Sequence, residues 1–80
     1  MLARTIAVLS MIVAAASALV CTVNDDGVNY RSGPGSQYQV FGTVNKGQNL
    51  NYRGATGDWI FGDLWGGRTG IWIYRAYLDC

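Results

Sequence analysis

The sequence predicts an all-β domain, a small antiparallel barrel of five to six short strands, preceded by a signal peptide. Three observations predict it. Short β-favouring runs alternate with turn residues from Val23 onward. No window holds helical periodicity over ten residues, and the 11 glycines, all after residue 26, would penalise helix heavily. Asn49-Leu50-Asn51-Tyr52-Arg53 alternates polar and apolar, the period of a half-buried strand.

The first 18 residues read as a separate leader. Arg4 supplies a positive start, Ile6 to Ala15 an apolar stretch, and Ala16-Ser17-Ala18 a small-x-small cleavage site. The apolar run to Val20 spans about 22 Å as helix, short of the ~30 Å of a bilayer core. Cleavage after Ala18 is therefore expected, giving a secreted chain with no membrane attachment. Removing 18 of 80 residues leaves Leu19–Cys80 as one domain.

That domain would carry five basic and five acidic side chains. Neutrality argues against nucleic acid, whose binders carry dense Lys/Arg patches. Having no histidine and two cysteines excludes the usual zinc sets. No metal or other cofactor is expected. A secreted domain of this size is marginal without a staple. Cys21 and Cys80 permit a single intramolecular pairing, and the oxidising compartment favours it.

The elements follow in order. Asn24 to Gly27 is a turn and Val28 to Arg31 a strand. Ser32-Gly33-Pro34-Gly35-Ser36 is an irregular loop. Gln39 to Val44 is a strand closed by Asn45-Lys46-Gly47. The alternating run at 49–53 is followed by a turn over Gly54 to Asp58. Trp59 to Trp65 is a strand, Gly66-Gly67 a hairpin, and Thr69 to Ile73 the return. Tyr74 to Tyr77 reads as one 3₁₀ turn before Leu78-Asp79-Cys80. Tyr-Arg recurs at Tyr30, Tyr52 and Tyr74, but the intervening segments differ in glycine placement and aromatic content, so no repeat is read.

Val28-Asn29-Tyr30-Arg31-Ser32-Gly33-Pro34-Gly35 resembles the opening signature of bacterial-type SH3 (SH3b) domains. Tyr38 to Val44, Lys46-Gly47-Gln48, Gly57-Asp58-Trp59, Thr69 to Ile73 and Ala76-Tyr77-Leu78 resemble later family segments in order, covering about residues 24–79. The Gly70-Ile71-Trp72 step is one residue longer than the family's Gly-Trp, and the hairpin at 62–67 carries an added tryptophan. The resemblance implies a small SH3-like barrel that binds extracellular polymers: peptidoglycan, or chitin-like glycans in secreted fungal relatives.

Catalysis has little to work with. There is no histidine, the cysteines are expected to be bridged, and Asp58 and Asp63 are the only close carboxylate pair in the strand region. Binding is better supplied. Ten aromatics crowd a domain too small to hide them all, and an exposed aromatic cluster marks a recognition surface. Trp59, Phe41 and Tyr77 align with structural positions of the family the chain resembles, which implies that they are core. Trp65, beside the Gly66-Gly67 tip, is read as exposed. The candidate ligand-binding set is Trp65, Tyr38, Tyr74, Asp63 and Asn29. The expected function is a non-catalytic, monomeric binding module for cell-wall polysaccharide or peptidoglycan. The alternative is a secreted module for a peptide or host protein.

Overall fold

The computed structural model describes residues 19–80. The expected leader, 1–18, lies outside the described residues. The described residues form seven strands: β1 (Val20–Val23), β2 (Val28–Arg31), β3 (Val40–Val44), β4 (Asn49–Thr56), β5 (Trp59–Leu64), β6 (Ile71–Tyr74) and β7 (Leu78–Asp79). One 3₁₀ turn, Arg75–Tyr77, leads into β7. The fold is all-β, as the sequence predicts.

All pairings are antiparallel, in a single sheet of order β3-β2-β6-β5-β4-β1-β7. The expected barrel closure is corrected by this order. Among the described residues β3 pairs only with β2 and β7 only with β1, so the sheet is open. The reason lies at its edges, since β7 has only two residues, both matched to β1. Strand number is corrected too, from five or six to seven: β1 and β7 lie at the ends of the domain.

Among the described residues no helical layer covers the sheet, so it has to bend to hide one face. Two bulges do this, at Phe41 in β3, opposite Tyr30 and Arg31, and at Arg53 between Tyr52 and Gly54 in β4. The hidden face gathers a single cluster of Cys21, Val23, Val28, Val44, Leu50, Ile60, Leu64, Ile71, Ile73 and Leu78, with every strand contributing. Where backbone pairing stops, side chains take over. The Arg68 guanidinium, beyond the tip joining β5 to β6, lies 3.4 Å from the ring centre of Phe41 on edge strand β3.

The core is wholly aliphatic apart from the Cys21 sulfur, and no aromatic side chain is fully buried. The core reading of the three aromatics changes accordingly. Phe41 is partly buried against the cluster, Trp59 is half-buried on the outer face, and Tyr77 is exposed. Tyr77 sits in the 3₁₀ turn, none of whose residues is buried.

Cys21 and Cys80 are bonded across 59 residues. The register explains it. Val23 faces Leu78 and Thr22 faces Asp79, so the next opposed position pairs Cys21 with Cys80, their Cα atoms 4.1 Å apart. Asn24 reinforces this seam, its Nδ2 donating to the Ala76 carbonyl and to Asp79 Oδ1. The bond is compatible with an extracellular protein.

Candidate functional site

The site follows from strand alternation. In β5, Ile60, Gly62 and Leu64 face the core, which turns Trp59, Phe61 and Asp63 outward. In β6, Ile71 and Ile73 face inward, which turns Trp72 and Tyr74 outward. Register then sets these side chains opposite one another, Trp59 against Tyr74 and Phe61 against Trp72. The first pair meets edge to face at 5.4 Å between ring centres, the second tilted at 4.8 Å. Tyr77 extends the row, 6.1 Å from Tyr74.

Trp65 continues the alternation beyond β5. Its N–H bonds the Asn49 carbonyl, prolonging the β4–β5 pairing, and its Nε1 donates to Asn51 Oδ1 at 2.8 Å. Positions 59, 61, 63 and 65 therefore form one outward stripe of about 20 Å at ~3.3 Å per residue. The bulge in β4 sends Arg53 over Phe61, 4.8 Å from its ring centre. Gly54 stands opposite Phe61 and adds no side chain of its own.

At the Trp59 end the stripe opens into a pocket of about 180 Å³ lined by Gly27, Val28, Asn29, Arg31, Trp59, Tyr74 and Tyr77. Arg31 lies opposite Trp72 across the β2–β6 ladder. Its Nη1 donates to the carbonyls of Ser36 at 2.9 Å and Tyr38 at 3.0 Å, which fixes the guanidinium plane.

The candidate residues from sequence distribute unevenly over this geometry. Tyr74 and Asn29 meet at the pocket. Trp65 is exposed, as expected, at the far end of the same stripe. Asp63 also lies on the stripe, but its Oδ1 accepts from the Gly70 N–H at 2.8 Å and from Arg53 Nη1 at 3.3 Å, so it braces neighbouring segments. Tyr38 is exposed but belongs to the β2–β3 loop, outside the pocket lining. Its ring covers Gly33 so closely that any Cβ there would collide with it.

Sequence reasoning missed Trp59, Tyr77 and Arg31 as lining residues, and Phe61 and Trp72 as platform. The signal was present: rings at 59, 61 and 65 interleave with Ile60, Gly62 and Leu64 at period two. Among the described residues no cluster of His, Cys, Asp or Glu is arranged to hold a metal. The pocket and its platform offer flat apolar faces, the Asn29 amide, the fixed Arg31 guanidinium and phenol hydroxyls, a set suited to holding a ligand.

No family model, curated protein or solved structure matches the chain.

Proposed function

We propose that the protein is a secreted, non-catalytic SH3-like binding module that recognises cell-wall glycan, chitin-like or peptidoglycan, through its outer aromatic face. The carrying observation is the placement of its rings. Trp59, Phe61, Trp72 and Tyr74 form a cross-strand platform outside an aliphatic core, and the platform ends in a pocket containing Asn29 and Arg31. Rings that packing does not consume are available as ligand surface. Flat faces suit the C–H faces of sugar rings, and the Asn29 amide suits hydroxyl or N-acetyl groups. A stripe of about 20 Å favours an extended polymer over a compact small molecule.

The test is retention of the oxidised protein on insoluble chitin and on purified peptidoglycan. Retention is expected on at least one. Trp59→Ala and Tyr74→Ala should each weaken it about tenfold, the usual scale for an anchoring aromatic. Tyr38→Ala should change it less than about twofold. Failure of the unaltered protein to bind either polymer would sink the glycan reading.

A second reading rests on a different observation. Strand β3 has an unpaired edge, and Val40 on it is exposed. An extended peptide has room to add there as another strand. Peptide capture that survives both the Trp59 and Tyr74 substitutions would select that reading.

A further inference from the structure

We propose that the pocket selects a sugar unit bearing a carboxylate, and that Arg31 is the selecting group. This rests on the glycan reading and decides between its two polymers. Among the described residues Arg31 is the only charged one lining the pocket, and none of those lining it offers a carboxylate. Of the other described arginines, Arg75 lies in the 3₁₀ turn outside the pocket lining, and the remaining two are differently engaged. Arg53 pairs with Asp63, while Arg68 lies over Phe41. Among the described residues Arg31 has no acidic partner.

Its one engaged nitrogen, Nη1, bonds two backbone carbonyls, leaving Nε and Nη2 without protein acceptors. The guanidinium is thus held in place while its charge stays uncompensated. It is half-buried beside Trp59 and Tyr74, where hydration is reduced and a charge-assisted bond is stronger. A planar fork with two free donors matches a carboxylate.

Chitin and the glycan strand of peptidoglycan share an N-acetylglucosamine backbone. They differ by a lactyl ether on alternate rings of the second, which is a free carboxylate wherever no peptide is attached. Aromatic faces accommodate either backbone. Arg31 distinguishes them.

Isothermal titration with three tetrasaccharides tests this: chitotetraose, the alternating lactyl-bearing tetrasaccharide with free carboxylates, and the same compound as its methylamide. The carboxylate form is expected to bind about tenfold or more tightly than the other two, through a charge-assisted hydrogen bond. The gap should narrow with added salt. Arg31→Gln should abolish the gap, and Lys46→Gln, an exposed loop change, should preserve it. Because Arg31 also ties down the β2–β3 loop, the methylamide comparison on the unaltered protein keeps the test independent of folding. Equal affinity for all three overturns the carboxylate inference and leaves the glycan reading standing. No affinity for any of them, together with no retention on either polymer, removes both. Tighter binding of the acidic peptide N-acetyl-Gly-Gly-Glu than of any saccharide overturns the inference in favour of a peptide ligand.

Discussion

Asp63 shows how a polar residue on a ligand-facing strand can serve the fold instead. One carboxylate oxygen receives the Gly70 N–H and the Arg53 guanidinium. Arg53 is more than half exposed, so the ion pair contributes little. The bond from Gly70 is shorter, and it anchors the segment entering β6. Asp63→Ala should therefore cost about 1–2 kcal/mol, read as a lower denaturation midpoint with unchanged slope. Stability equal to the parent's would show that the bond contributes nothing. From sequence, Asp63 offered a carboxylate near an aromatic hairpin, and nothing in its neighbours announced Gly70 as its partner. Tyr38 was ambiguous in the same way: neither its exposure nor its distance from the pocket was readable from its neighbours. Trp65 was legible because two glycines beside a tryptophan leave its ring few neighbours to pack against.

At the level of elements, β2, β5 and the β5–β6 tip were legible because their limits coincide with glycine pairs, proline or a change in alternation. Strand β4 was not. Gly54 read as the start of a turn, yet the strand runs to Thr56 and only Gly57 and Asp58 reverse the chain. Gly57 has φ +56°, the conformation that calls for glycine, whereas Gly54 follows a bulge that no residue type marks. Two glycines of this hairpin, Gly54 in β4 and Gly62 in β5, also differ in tolerance. A Cβ on Gly62 would strike the Asn51 carbonyl and crowd Leu50. One on Gly54 would meet nothing within 4 Å. Gly62→Ala should lose about 1–3 kcal/mol by overpacking, and Gly54→Ala should stay within about 0.5 kcal/mol of the parent. Chemical denaturation of the two variants side by side checks this, and equal losses would contradict it.

For the whole molecule, the bond between Cys21 and Cys80 closes nearly the entire described chain into a loop. Closing a loop of that length is worth about 4 kcal/mol in the chain-entropy account, comparable to the stability of a small domain. Replacing both cysteines by serine should lower the melting temperature by about 15–30 °C, from ~4–8 °C per kcal/mol. A melting curve indifferent to the replacement would contradict this. The pairing was legible because two cysteines allow no other within one chain. The open sheet was not, because closure depends on whether the edge strands reach each other, and no local pattern encodes that distance. Nor was the aliphatic core, since the aromatic count does not say which face of a strand the rings take. That division of labour has an optical consequence. None of the three indoles is sealed in the interior. Ultraviolet-excited emission from this protein will respond to an occupant settling on the platform while the core stays silent, so label-free fluorescence titration can rank candidate saccharides.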